Sequence, residues 1–341
     1  LKIVLFSNAF YPDIGGIESI SEMLADAFVS KGNQVRILTK TLAAGNSTFP
    51  YTIVRNPGLI AVCKHILWAD VVFENNPCLR ISWPAFLLKR NHVTGLQTWI
   101  GPPGVKKSLP QKLKIAVIKL SSVLIACSKI VQQYISLNAQ VIGNPYKQEI
   151  FKRLNHIPKT KDFVFLGRLV SDKGANLAIE AFNIFTRSTQ GNSTLTVIGS
   201  GPEEAELHAL VAKYGLSGSV HFTGSMRNEV LNECLNEHKY LLIPSLWQEP
   251  FGIVALEGMA AGCIPIVSDG GGLPDAVGNA GLIFKRGDVN DLVECMKNIT
   301  QNAELEQALA AAAGAQLNKH TDEVVAQQYL AVFESVINRN K

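Results

Sequence analysis

Three stretches of this 341-residue chain carry residue types suited to holding phosphate. The richest runs from Pro244 to Gly262, PSLWQEPFGIVALEGMAAG, with Glu249 and Glu257 eight positions apart. A strand-like run, Tyr240 to Ile243, leads into it, and a helix is expected over 252–261. The first N–H groups of a helix have no partner inside it, so the amides of Phe251, Gly252, Ile253 and Val254 suit a diphosphate. Glu257 lies about 7.5 Å along the axis at 1.5 Å per residue. Helical side chains lean toward the N-terminus, so its carboxylate reaches back toward a ribose carried by that phosphate. Carboxylate oxygens accept from paired hydroxyls. A glutamate near a helix start also has an ordinary meaning, since it complements the dipole.

The second stretch is Gly167-Arg168-Leu169-Val170-Ser171-Asp172-Lys173-Gly174, directly after an apolar run at 163–166. Open parallel sheets bind ligands at the carboxyl ends of their strands. Arg168 offers a planar fork for phosphate oxygens and Lys173 a mobile point charge. Two solvated surface cations would look the same in isolation. The third stretch is Gly15-Gly16, after a strand at 2–6 and before a helix at 16–31. A glycine pair there lets the backbone approach an anion, or serves only as a turn. The spacing is not G-x-G-x-x-G, which disfavours a dinucleotide site.

These stretches need parallel strands to place them, and the chain supplies the pattern. Short β-branched runs alternate with amphipathic stretches, the rhythm of βαβ units. In the first half, strands fit 2–6, 34–39, 70–73, 92–96, 122–126 and 140–142, with helices at 16–31, 79–89, 109–119 and 128–136. In the second half, strands fit 163–166, 195–198, 220–223, 239–243, 264–267 and 281–285. Helices there fit 174–188, 203–214, 227–237 and 252–261. Residues 143–161, with two prolines and many charges, read as a linker. After Gly287 the chain reads as helical at 288–299, 303–315 and 322–338, and the last helix could pack on either half.

The composition, 47% hydrophobic and 18% charged, is that of a globular protein and excludes collagen-like, disordered and disulfide-scaffold classes. The length suits two domains. The net charge of +4 hides a split: residues 1–148 hold sixteen Lys/Arg against six Asp/Glu, and 149–341 hold sixteen against twenty-two. Ten Lys/Arg and no acid lie between Glu74 and Glu149. Five lysines stand among Leu, Ile and Val over 105–120, VKKSLPQKLKIAVIKL. Such a block suits an anionic membrane or a phosphorylated partner, and a helix packed on a sheet with a solvated lysine face equally well. No nucleic-acid recognition motif accompanies it. Six scattered cysteines without a C-x-x-C pair read as free thiols. No secretory leader and no run of eighteen apolar residues is visible, so the expected place is the cytoplasm, at most peripheral to the inner face of its membrane.

The motifs together resemble the retaining glycosyltransferases of family 4, of GT-B fold, in particular those of bacterial polysaccharide biosynthesis. Glu249-Pro-Phe-Gly-Ile-Val-Ala-Leu-Glu257 matches that family's E-x7-E motif. Gly15-Gly16, Gly167-Arg168-Leu169 with Lys173-Gly174, Val197-Ile198-Gly199-Ser200-Gly201-Pro202, and Gly262-Cys-Ile-Pro-Ile-Val267 before Gly270-Gly271-Gly272 follow in the same order. The likeness is continuous over 163–285 and thinner over 1–145.

The resemblance implies an α/β protein with two Rossmann-like parallel-sheet domains. An acceptor-side domain would span 1–145, a linker 146–161 and a nucleotide-sugar domain 162–318. A terminal helix over 319–341, bearing Tyr329 and Phe333, would cross back to the first domain. It implies a hexosyltransferase moving sugar from a nucleotide-diphosphate sugar, UDP- or GDP-linked, to a saccharide or lipid-linked saccharide, with no metal and no cofactor.

Catalytic roles would fall to Arg168, Lys173 and Glu249. Arg168, Lys173, Gly15, Gly16, Ile253 and Val254 would hold the diphosphate, and Glu257 the ribose. Glu249 with Phe251 and Gly252 would hold the sugar, and Gly199 and Met226 would lie along the nucleotide. Glu18, Gln97 and Thr98 would stand on the acceptor side. The family's usual histidine is missing: Gln97 or Thr98 stands in its place, and His92 lies at the other end of the same strand. Gln97 can bind a hydroxyl but cannot take a proton. A nucleotide-sugar epimerase, or a non-catalytic nucleotide-sugar-binding protein, would carry many of the same motifs.

Overall fold

The computed structural model describes residues 1–13, 15–43, 47–135, 138–189 and 192–339. Its strands form two sheets, and every pairing in both is parallel. The first holds β1 (Lys2–Phe6), β2 (Gln34–Thr39), β3 (Thr52–Arg55), β4 (Val71–Asn75), β5 (His92–Leu96), β6 (Val123–Ala126) and β7 (Ala139–Val141), in the order β3-β2-β1-β4-β5-β6-β7. The second holds β8 (Lys161–Leu166), β9 (Leu195–Ile198), β10 (Val220–Gly224), β11 (His238–Ile243), β12 (Ile264–Ser268) and β13 (Leu282–Phe284), in the order β10-β9-β8-β11-β12-β13. Helices cover both faces of such sheets, which is why β4, β5 and β12 are buried end to end and do not alternate.

The chain forms two compact units, Leu1–Tyr146 with His320–Lys341, and Lys147–Lys319. In the first, the terminal helix Asp322–Arg339 returns to pack along the helix Gly16–Ser30. Its Tyr329 and Phe333 are fully buried against Phe28 and Phe73, with ring centres 5.2 Å apart for Phe73–Tyr329 and 5.5 Å for Phe28–Phe333. Each such ring contributes about 1.5–3 kcal/mol by burial. In the second unit, Phe163, Phe182, Leu242 and Met296 belong to one buried cluster.

Residues 147–160, expected as linker, hold no strand or helix but are strapped to the second unit. The Asn236 side chain accepts from the Leu154 amide (2.7 Å) and donates to the Lys152 carbonyl (3.0 Å), and Phe151 is buried. The helix expected at 128–136 runs Lys129–Ile135, and position 136 lies outside the described residues. None of the six cysteines is in a disulfide. No helix among the described residues is long and apolar enough to cross a membrane.

Candidate active site

Arg168, Gly199, Met226 and Glu249 follow β8, β9, β10 and β11, so residues remote in sequence stand at one end of four adjacent strands. The chain leaves β8 toward β9 on one side and β11 toward β12 on the other. A crevice opens at the carboxyl ends where the order reverses, between β8 and β11. The stretches 167–174 and 244–257 flank it.

Their loops are joined by backbone. The Asp172 carbonyl accepts from the amides of Leu246 (2.9 Å) and Trp247 (3.0 Å) and from Ser245 Oγ (3.1 Å). Gly174 closes the one-turn 3-10 helix Ser171–Lys173 at φ 72°, and a Cβ there would run into the Pro244 carbonyl. Gly174→Ala therefore faces both a strained φ and a backbone clash. It should lower the midpoint of thermal unfolding by several degrees and weaken nucleotide binding together, as calorimetry and titration would show.

Lys173 Nζ forms an ion pair with Glu249 Oε1, and Ser245 Oγ lies 2.9 Å from the same oxygen. Glu249 is held from behind by the glycine run. Its carbonyl accepts from the Gly272 amide (2.6 Å) and its backbone bridges to Gly271, where a Cβ would strike the Glu249 carbonyl. The contacts of buried Ser245 and of Gly271 with Glu249 are not legible in the sequence. The Pro-Ser and Gly-Gly-Gly runs are visible there, but Ser245 meets Glu249 through an irregular loop with no period, and the Gly271 bridge spans a helix and a strand.

Gly252 caps the helix Ile253–Ala260 at φ 122° with no side-chain cap. Among the described residues the amides of Gly252, Ile253 and Val254 donate to nothing, as expected of an anion site. The Phe251 side chain is buried in the core. Arg168 is exposed, and its guanidinium has no partner among the described residues. Met226 is half-buried after β10, where Ser200 and Ser225 hydroxyls meet at 2.7 Å. Glu257 is half-buried, and its carboxylate accepts no hydrogen bond among the described residues. Burial pushes its carboxyl from the ordinary 4.5 up to about 7, and the charge of Lys147 pulls it partway back. An uncommitted carboxylate, an unpaired cation and a free helix start are what a phosphate-linked ribose requires.

In the first unit, Gly15 and Gly16 open the helix Gly16–Ser30 at the carboxyl side of β1. The Glu18 carboxylate folds back over Gly15, in the place a Cβ would take, and so already sits on that turn. Gln97 follows β5 and is buried: its Nε2 donates to Asn75 Oδ1 (2.8 Å) and to the Tyr329 hydroxyl (3.3 Å). Asn75 in turn donates to Ser21 Oγ (2.8 Å), tying β4, β5 and two helices together. Of the pair 97 and 98, the half-buried Thr98 is the one with exposed surface. His92 sits at the amino end of β5, buried 3.6 Å from Glu74.

Among the described residues, Cys234, Glu237 and His238 bring ligand-type atoms within 4.8 Å of one another. Both His238 nitrogens are engaged, by the Cys234 carbonyl and Thr196 Oγ1 at 2.7 Å each, and Glu237 pairs with Lys161 at 2.6 Å. The cluster lies around the amino end of β11, away from the crevice.

Two parallel sheets of this topology, each in its own unit, with the terminal helix returned to the first, define the GT-B class. The structure of Anabaena Alr3699/HepE in complex with UDP superposes with a TM-score of 0.82 at 19% identity, over 98% of this chain and all of that one. Residues 146–316 match the family model described as glycosyl transferases group 1, and the chain belongs to that family. A glycogen synthase of Mycobacterium tuberculosis is 32% identical over 177 residues, half of this chain and 42% of that protein. The N,N'-diacetylbacillosaminyl-diphospho-undecaprenol alpha-1,3-N-acetylgalactosaminyltransferase of Campylobacter jejuni is 27% identical over 193 residues, 56% of this chain and 49% of that protein. The chain thus spans about half or less of the length of these two relatives.

Proposed function

We propose that the protein is a retaining, metal-independent hexosyltransferase of family 4. It takes a sugar from a UDP- or GDP-sugar and passes it to a saccharide or lipid-linked saccharide in polysaccharide or glycolipid synthesis. One observation carries this reading: Arg168, the amides of 252–254 and the Glu257 carboxylate, none of them hydrogen-bonded among the described residues, flank a single strand-order reversal. The UDP in the Anabaena structure and the lipid-diphosphate named for the Campylobacter enzyme support the donor and acceptor classes.

In the reaction the bond from the sugar carbon to the phosphate oxygen breaks and a bond to the acceptor oxygen forms. Arg168 and Lys173 offset the negative charge that grows on the diphosphate. The acceptor proton passes to a phosphate oxygen on the face the nucleotide leaves. That route does not need a basic residue at position 97, where Gln97 is committed inside the fold. Lys173 and Glu249 are paired in the free protein, and in this reading a hydroxyl of the sugar exchanges for part of that contact. The acceptor side, with Glu18 and Thr98, belongs to the first unit. The basic block 105–120 suits the anionic inner face of the cytoplasmic membrane.

Thermal-shift titration against UDP-, GDP- and ADP-sugars tests the donor. Binding adds RT ln(1 + [L]/Kd), about 2.7 kcal/mol at a hundredfold excess over Kd. A UDP- or GDP-sugar should raise the unfolding midpoint, and an acceptor should then release free nucleotide with retention at the transferred carbon. No shift with any of the three would overturn the assignment.

A further inference from the structure

Successive right-handed crossovers from β3 to β4, β4 to β5 and β5 to β6 step the same way across the first sheet, so their helices share one face. The terminal helix packs on Gly16–Ser30, which belongs to the opposite crossover. Two of the three helices, Leu59–Trp68 and Leu79–Leu87, touch each other and bury Val62, Ile66, Ile81 and Ala85 in one core. What they leave outside is apolar. Ile60 is 88% exposed, Leu67 59%, Trp83 43% and Leu87 72%. With Lys64 and Arg80 these fall at i, i+4, i+7 and i, i+3, i+7, one outward stripe on each helix. Contiguous exposed apolar surface of this kind marks a contact face.

Its charge selects the partner. Between Asp26 and Glu149 the only acids are Asp70, which accepts from the Lys2 amide (2.7 Å), and Glu74, which is fully buried. Lys64, Arg80 and Lys89 are exposed around the stripes. A second copy docked face to face would set like charges against one another. A bilayer of anionic lipid would meet the cations with headgroups and the apolar stripes with the acyl boundary, where tryptophan also prefers to lie.

We propose that this face docks on an anionic bilayer, with Ile60, Leu67, Trp83 and Leu87 entering its surface. The third helix, Leu109–Ile118, extends the face with exposed Leu109 and Leu113 beside its lysines. The lysine block thus adds to an insertion surface built by two other helices. The inference stands on surface composition, whatever the donor proves to be.

The test is cosedimentation of the full chain with phosphatidylcholine vesicles, with and without phosphatidylglycerol, at rising salt. Binding should require phosphatidylglycerol, shift tryptophan emission to the blue and leave a salt-resistant fraction. Ile60→Ser with Leu87→Ser should lower partitioning by at least about tenfold at every salt concentration. Its unfolding midpoint without ligand, and any nucleotide-sugar shift the wild type shows, should be unchanged. Lys106→Gln with Lys112→Gln should weaken only low-salt binding. Wild-type partitioning by the Ser variant overturns the proposal, as does equal binding to neutral vesicles. A dimer in gel filtration that the Ser variant abolishes would also overturn it, by making the face a self-interface.

Discussion

Arg168→Ala should leave the fold intact and reduce kcat/KM by about a hundred- to a thousandfold, the usual cost of removing a donor aimed at developing charge. The separation of the two effects is the informative part. Arg168 is exposed and unpaired among the described residues, so its loss removes no native contact and the unfolding midpoint should stay within about 1 °C. Arg168→Lys should rescue only partly, because an ammonium cannot reproduce a two-pronged contact with phosphate. Lys173→Ala should behave differently. It strips Glu249 of its ion pair in a partly buried setting, where exposure is 24% and 16% for the two side chains, so stability and turnover should fall together. The double variant Lys173→Ala with Glu249→Gln should recover stability without activity. Wild-type turnover by Arg168→Ala, measured as nucleotide release with a working donor, would sink the donor-site assignment.

The sequence displays the elements whose residues repeat a clear pattern. The β-branched runs at 2–6, 34–39, 92–96 and 195–198 occur as strands with those bounds. What escapes is short or lacks a period. β3 (Thr52–Arg55) is a four-residue edge strand with no fully buried position. The helix Leu59–Trp68 is apolar nearly all round, so no buried stripe shows in LIAVCKHILW. Leu273–Val277 is little more than one turn.

The site divides in the same way. Residue types and local geometry, such as the uncapped helix start at Gly252 and the cations after β8, are properties of a few adjacent residues and are legible. Contacts between remote stretches are not. Lys173 meets Glu249 across 76 positions, and Gln97 meets Tyr329 across 232. Nothing near Gln97 announces that its amide faces inward.

Glu257 joins these two kinds of information, because its position is legible and its desolvation is not. Glu257→Gln should make the protein more stable and a poorer binder at pH 8. Burial raises the carboxyl to about 7, above its unfolded value of 4.5, so between these pH values the folded state holds a proton the unfolded state lacks. Wild-type stability should therefore fall as pH rises from about 4.5 to about 7, then level off. At 1.36 kcal/mol per unit the ionised group costs on the order of 3 kcal/mol above pH 7. Removing the charge should return up to several degrees in the unfolding midpoint at pH 8, with the two proteins converging below pH 5. The opposite ranking should hold for ligand. An ionised carboxylate accepts from both ribose hydroxyls, and hydrogen bonds to charged groups contribute about 1.5–3 kcal/mol. Wild-type affinity for the nucleotide-sugar should thus weaken by up to about tenfold from pH 8 to pH 6 as the carboxyl takes up its proton. The variant should bind weakly with no such slope. A flat wild-type profile, or a Gln variant less stable at pH 8, would show that Glu257 is an ordinary packed residue and that the ribose is held elsewhere. If both trends appear, this carboxylate is kept for its ligand at the expense of the fold, as expected of a desolvated binding group that accepts no hydrogen bond among the described residues.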